Sequence, residues 1–133
     1  MLHRIKSLLV DLEDITYITY NEYDDDGDDI YYVLDIFTNT NNIDTNDYFT
    51  IILDKEELVK TWEDLKTYKS LFYEITLDTL INLRNISGIQ YLTDFLQITF
   101  KSESISDKNL KIEIDENTDA NRVYKILDEM SKV

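Results

Sequence analysis

The stretch ITYITYNEYDDDGDDIYYVLDIFT, residues 15–38, decides the fold. Two runs rich in β-branched and aromatic residues, 15–23 and 30–38, flank an acidic segment centred on Asp26 and Gly27. Such residues favour strands. An Asp-Gly pair between two strand-like runs is typical of a type I′ turn, which needs positive φ at both central residues. The stretch therefore predicts an antiparallel hairpin.

The elements on either side follow from the period of their apolar residues. Residues 2–13 place apolar side chains at three-to-four spacing, which predicts an amphipathic helix. Asp54, with Glu57 three positions on, predicts a capping box and hence a helix start. Beyond this helix, Gly88 stands where the C′ residue of a further short helix is expected. The predicted elements are a helix over 2–13, strands over 15–23, 30–38 and 48–53, helices from 54 and over 77–86, strands over 95–102 and 109–115, and a helix beginning at Asn117 or Thr118.

The order α-β-β-β-α-α-β-β-α separates two antiparallel groups of strands by helices, which is typical of an α+β fold. We expect a single antiparallel sheet of about five strands, in two hairpin groups, with helices packed on one face. The 133 residues match the common size of one domain. Residues 1–133 show no repeat, linker or low-complexity tract, which predicts one acidic domain.

The amino-acid composition excludes several kinds of site and indicates the compartment in which the protein works. The chain contains no cysteine, which excludes a disulfide framework, a thiolate nucleophile and cysteine-ligated metals. No run approaches the ~18 apolar residues of a membrane span, so we expect a cytoplasmic protein. Heavy use of Ile, Asn, Tyr and Lys, whose codons are A/T-rich, is typical of Gram-positive bacteria of low G+C content and their phages. The expected compartment is therefore a bacterial host's cytoplasm.

The negative charge is concentrated in one part of the sequence. Residues 7–54 contain 13 acids and no Lys or Arg, whereas the remaining 15 acids are nearly balanced by 13 bases. These 48 residues therefore account for 13 of the 15 excess negative charges. Acids keep proteins soluble, which is one interpretation. Complete exclusion of bases from a third of the chain favours the other, a negative face for a basic partner.

Catalytic and metal-binding motifs are not recognisable. The single histidine, His3, is expected at the surface. It could supply only one nitrogen ligand, which is not enough for a zinc site in a chain without cysteine. An EF-hand with Gly27 at its sixth position would place Val33 where a bidentate carboxylate is required. Two glycines cannot form a phosphate-cradling loop. We therefore expect no enzyme activity, no cofactor and no metal, and a net charge of −15 opposes direct nucleic-acid binding.

The function that fits these features is a non-enzymatic inhibitor that binds a basic protein, such as the basic groove of a nucleic-acid-binding enzyme. Tyr residues among the acids suit such an interface. Phage-encoded nucleic-acid mimics such as anti-CRISPR proteins are of this type, although no motif links the chain to them. Alternatives are an immunity protein against a basic toxin, a structural or assembly subunit, and a carboxylate-metal hydrolase. Only Glu22 and Asp35 lie inside predicted strands. The candidate contact residues are Tyr20, Glu22, Tyr23, Asp24, Asp25, Asp26, Asp28, Asp29, Tyr31, Asp35, Asp44 and Asp47.

Overall fold

The structure is a computed structural model that describes residues 2–25, 29–39, 48–68, 70–92, 95–101, 109–113, 125, 128–129 and 131. Contacts divide the chain into two units, Met1–Asn85 and Ile86–Val133. The first unit contains β1 (Leu2–Ile5), β2 (Leu8–Asp11), β3 (Ile15–Asp25), β4 (Asp29–Thr38), β5 (Tyr48–Leu53), α1 (Lys55–Lys66), β6 (Phe72–Thr76) and β7 (Thr79–Asn82). The second contains β8 (Ile86–Tyr91), β9 (Phe95–Phe100) and β10 (Asn109–Glu113).

An antiparallel sheet of five strands, in the order β5-β4-β3-β7-β6, forms the centre of the first unit. The predicted hairpin is confirmed, because β3 and β4 pair from Tyr17 with Phe37 out to Asp25 with Asp29. The strands are longer than predicted, so Asp24 also lies within a strand. The turn conformation predicted for residues 26 and 27 lies outside the described residues.

One side of this sheet packs against α1. Ile18, Leu34 and Ile36 project to that side and are fully buried. From the helix, Leu58 and Trp62 join the same core cluster. Burying one such aliphatic or aromatic side chain stabilises the fold by about 1.5–3 kcal/mol. The hydrophobic core therefore fixes which face of β3 and β4 is turned inward.

The helix start predicted at Asp54 is confirmed. The amide of Glu57 donates to Asp54 Oδ1 at 2.7 Å, and the amide of Asp54 donates to Glu57 Oε1 at 3.1 Å. This reciprocal capping box satisfies two amide groups that the first turn of a helix leaves without partners. The helix ends at Lys66. Beyond it, Tyr68 is 39% exposed and Phe72 is buried in β6.

The helix predicted over residues 2–13 is wrong, because the segment forms the antiparallel hairpin β1–β2. Its apolar spacing fits either element, and packing decides between them. Ile5 and Val10 are buried, whereas Leu2 and Leu9, which a helix would have placed on the same apolar stripe, are 63% and 60% exposed. The two strands meet at Ile5 and Leu8 and leave a two-residue turn, in which Lys6 has a φ of 55°.

The short helix predicted over 77–86 is also wrong. This segment forms β7, which lies between β3 and β6, followed by a 3-10 turn at Leu83–Asn85. All four residues of β7 are buried. A strand buried on both faces gives a short continuous run instead of an alternating pattern, and such a run resembles part of a buried helix.

In the second unit, β10, β9 and β8 form a separate antiparallel sheet of three strands. The strand predicted over residues 95–102 is found as β9, in which Leu96, Ile98 and Phe100 are buried. The expectation that these strands share one sheet with the first hairpin is wrong. Gly88 lies in β8 at a register irregularity and does not end a helix.

The fold class is α+β and consists mostly of strands. Within the described residues α1 is the one complete helix, so the several helices of the predicted order are not found. The last predicted helix lies outside the described residues, apart from Lys125, Asp128 and Glu129, which are helical.

Candidate functional site

The hairpin β3–β4 extends beyond its neighbours in the sheet. The registered pairs of β3 with β7 end at Thr19, and those of β4 with β5 begin at Tyr32. Past these positions the two strands pair with each other, out to Asp25 and Asp29. Residues 21–31 are hereafter the acidic arm, of which residues 26–28 lie outside the described part. A two-stranded ribbon of this kind exposes both of its sides.

The register assigns the candidate contact residues to two opposite sides, because side chains alternate along a strand and cross-strand partners share a side. The open side is the one that carries Tyr17 and Phe37, and the core side is the one that carries Ile18 and Ile36. The open side receives Tyr23, Asp29, Tyr31 and Asp35, and the core side receives Tyr20, Glu22 and Asp24. Asp26, Asp28, Asp44 and Asp47, and the side chain of Asp25, lie outside the described residues.

Aromatic rings line the open side. Tyr23 and Tyr31 stack with ring centroids 5.6 Å apart and an interplanar angle of 16°. Nearer the middle of the sheet, Tyr17 and Phe37 stack at 4.2 Å. Tyr23 is 46% exposed, so the outer pair offers a flat aromatic surface to solvent. Rings of this kind provide large contact area at low conformational cost.

Two acids occupy opposite register positions at the outer end of the β3–β4 hairpin. Asp25 and Asp29 are direct register partners, and like charges directly opposite each other destabilise a hairpin. Further along β4, Asp35 accepts a hydrogen bond from Thr50 Oγ1 at 3.2 Å. Because Asp29 and Asp35 are six residues apart on one strand, their Cα atoms are separated by about 20 Å at the usual rise.

The core side holds its polar residues in intramolecular contacts. Tyr32 donates to Glu22 Oε1 at 3.0 Å. Tyr20 donates to the carbonyl oxygen of Leu77 at 3.1 Å and meets Trp62 edge to face at 4.9 Å. Two of the residues proposed as contacts, Tyr20 and Glu22, therefore also help to hold the base of the acidic arm on the sheet.

Tyrosine hydroxyls in this region are kept protonated. Burial, followed by the charge of Asp35, raises the pKa of Tyr17 to about 12. Burial also raises the pKa of Tyr20, with smaller contributions from Asp78, Glu74 and Glu22. The hydrogen bond to Glu22 is the largest cause of the raised pKa of Tyr32. At neutral pH these phenols are therefore neutral hydrogen-bond donors.

A second feature, which the sequence did not predict, is a cavity of about 480 Å³ lined by His3, Arg4, Ile5, Lys6, Leu53, Glu57, Lys60, Thr61 and Asp64. The side chain of His3 was expected at the surface but is only 21% exposed, and its Nε2 lies 3.2 Å from Asp64 Oδ2. The available signal was the helical spacing of Glu57, Lys60, Thr61 and Asp64, which places polar residues along one face of α1.

The described residues give no indication of a metal centre, since they contain no group of three or more His, Asp or Glu side chains that could hold an ion. Within the same residues, no helix has both the length and the apolar character needed to cross a membrane. Comparison with protein-family models, with curated proteins and with solved structures yields no match.

Proposed function

We propose that this protein is a non-enzymatic inhibitor that uses the acidic arm to bind the basic surface of another protein. The main support for the proposal is that two cross-strand pairs lie next to each other on the acidic arm. Asp25 is the register partner of Asp29, and the next pair on the same side is the exposed stack of Tyr23 and Tyr31. No Lys or Arg occurs in the sequence between Lys6 and Lys55.

Folding alone does not account for this arrangement. Like charges opposite each other cost up to about 1 kcal/mol relative to neutral pairs, and exposed sheet edges are usually protected with Lys. A cationic partner would offset the repulsion that like charges at opposite register positions cause. Exposed tyrosines beside it would supply the anchoring contacts that dominate protein interfaces. The opposed acids and the exposed tyrosines would then both favour association with the partner.

The inferred partner is a nucleic-acid-binding enzyme of the host, such as a nuclease. Its substrate groove is a concentrated basic surface, because such enzymes neutralise phosphates with Lys and Arg. Strand acids about 20 Å apart do not repeat at the spacing of neighbouring phosphates, which is about 7 Å along one strand. We therefore propose that the protein imitates the negative charge of nucleic acid, as anti-CRISPR proteins do, and not the spacing of its phosphates. An immunity protein against a basic toxin would use the same chemistry.

The test is capture from a Gram-positive lysate by three forms of the protein. In the arm variant, Asp24, Asp25, Asp26, Asp28 and Asp29 are replaced by Asn. In the matched control, Glu56, Glu63, Glu103, Glu116 and Glu129, which lie outside the acidic arm, are replaced by Gln. Both variants remove five negative charges, so they differ only in where the charge is lost.

We expect the unaltered protein and the matched control to capture the same basic nucleic-acid-binding enzyme, identified by mass spectrometry. The arm variant should retain its circular dichroism spectrum and lose the captured enzyme. If the arm variant captured the enzyme as well as the unaltered protein does, the acidic arm would not be the binding surface. Capture of a toxin instead of a host enzyme would favour the immunity alternative.

A further inference from the structure

The cavity beside α1 is formed by two polar walls that face each other. Glu57, Lys60, Thr61 and Asp64 share one face of the helix, and the β1–β2 hairpin contributes His3, Arg4, Ile5 and Lys6. The cavity lies wholly within the first unit, and it shares no residue with the acidic arm. Its ~480 Å³ falls in the range of small-molecule sites, about 300–1,000 Å³.

Both carboxylates of the cavity already have a partner on the β1–β2 hairpin. Lys6 Nζ lies 3.5 Å from Glu57 Oε2, and His3 Nε2 lies 3.2 Å from Asp64 Oδ2. Glu57 and Asp64 are seven residues apart, which is about 10 Å along a helix. The two contacts therefore lie at opposite ends of the helical wall.

Arg4 and Lys60 also line the cavity. Arg4 donates from Nε to the carbonyl oxygen of Lys6 at 2.8 Å, which ties the guanidinium to the hairpin turn. Within the described part of the chain, neither Arg4 nor Lys60 has a carboxylate partner. The Lys and Arg of the lining outnumber its carboxylates by three to two, although the whole chain has 28 acids and 13 bases.

Lys6 occupies a position in the hairpin turn that few side chains adopt readily. Its φ of 55° lies in the left-handed region, which costs a residue with a Cβ roughly 1–2 kcal/mol. Glycine is the residue usually found in such a position. Here the lysine side chain reaches the carbonyl oxygen of Ile52 at 3.0 Å and closes one end of the cavity beside Glu57. The turn thus retains a cation at some cost in backbone energy.

We propose that this cavity binds the phosphate group of a small phosphorylated molecule. The guanidinium of Arg4 can donate two parallel hydrogen bonds to phosphate oxygens, Lys60 supplies a second positive charge, and the Thr61 hydroxyl can donate a further bond. The volume exceeds that of a phosphate ion, so part of the group that carries the phosphate also fits. The site is independent of the acidic arm and of the function proposed for it.

The test is a titration followed by backbone-amide NMR at constant ionic strength, with AMP, inorganic phosphate and adenosine as probes. We expect AMP to shift the amides of residues 3–6 and 60–64 in a saturable manner. Phosphate should shift the same amides with lower affinity, and adenosine should not shift them. Binding of phosphate without binding of AMP would overturn the proposal that an organic phosphate occupies the cavity.

Three variants locate the site. Arg4→Gln and Lys60→Gln should each weaken AMP binding by about tenfold, because each removes charge-assisted contacts to the phosphate. Lys55→Gln removes the same charge from an exposed position of α1 outside the cavity and should change the affinity less than about twofold. Absence of saturable shifts at the named amides, or an equal loss in Lys55→Gln, would overturn the proposal.

Discussion

Tyr23 and Tyr31 are register partners across the β3–β4 hairpin, and their rings stack 5.6 Å apart on the side of the acidic arm that faces away from the core. On the opposite side of the same ribbon, Glu22 accepts the hydroxyl of Tyr32 at 3.0 Å. The acids of the arm are thus divided between a side with exposed rings and a side whose polar groups bind each other. The proposed contact therefore depends most on Asp25, Asp29 and the tyrosine stack.

Replacement of Asp25 by Lys should stabilise the protein and weaken its binding to the partner. The change puts a Lys opposite Asp29 in the strand register, and cross-strand pairs of opposite charge contribute roughly 0.2–1 kcal/mol. Denaturant unfolding measures the gain in stability, and titration with the captured enzyme measures the loss of affinity. Glu56→Lys, which makes the same charge change on α1, is the control and should leave binding nearly unchanged. Unaltered affinity in Asp25→Lys would favour the interpretation that the acids serve solubility alone.

Asn82 is a fully buried polar residue that joins β7 to the turn before β3. Its Nδ2 donates to the carbonyl oxygens of Leu12 and Ile15, and its Oδ1 accepts the amide of Arg84. Asn82→Leu keeps the branched shape of the side chain but removes these three hydrogen bonds, and the Arg84 amide loses its acceptor, at a cost of about 1–3 kcal/mol.

The measurement for Asn82→Leu is the free energy of unfolding in denaturant, at neutral pH. Gln90→Leu, at an exposed position of β8, serves as the control and should change stability by less than about 0.5 kcal/mol. A cost in Asn82→Leu no larger than that of the control would show that these hydrogen bonds contribute little.

Alkaline pH should destabilise the protein through Tyr17. Its pKa rises from 10.0 to about 12 in the folded chain, because burial and then Asp35 disfavour the phenolate. The folded state therefore holds this proton more tightly than the unfolded state. The resulting stability is complete below pH 10 and is lost as the pH rises towards 12.

Tyr17→Phe removes this titration, so its free energy of unfolding should fall less steeply across the same pH interval than that of the unaltered protein. Denaturant unfolding at a series of alkaline pH values measures both slopes. Identical slopes for the two proteins would contradict the raised pKa of Tyr17.

Local signals made part of the fold predictable. The Asp26-Gly27 pair between two β-branched runs predicted the central hairpin, and the capping box at Asp54 predicted the start of α1. Both signals depend on backbone and side-chain chemistry within a few residues. The strand predicted over residues 95–102 was likewise found, as β9.

Non-local packing determined the remaining elements. The spacing of leucines in residues 2–13 fits a helix as well as a hairpin, and only the burial of Ile5 and Val10 against the sheet distinguishes the two. A central strand such as β7 has no alternation to reveal it. The acids lie close together in the sequence, which suggested that they form one acidic surface. The side on which each carboxylate lies depends on the register of β3 with β4, which placed Asp24 opposite Ile30 and Asp25 opposite Asp29.

Hydrogen exchange of the purified complex with the captured enzyme shows directly whether the acidic arm is the binding surface. We expect the amides of residues 21–25 and 29–31, which lie in a two-stranded ribbon beyond the rest of the sheet, to exchange at least about tenfold more slowly in the complex. Unchanged exchange throughout this ribbon, with new protection confined to other parts of the chain, would contradict the claim that a cationic protein recognises the acidic arm.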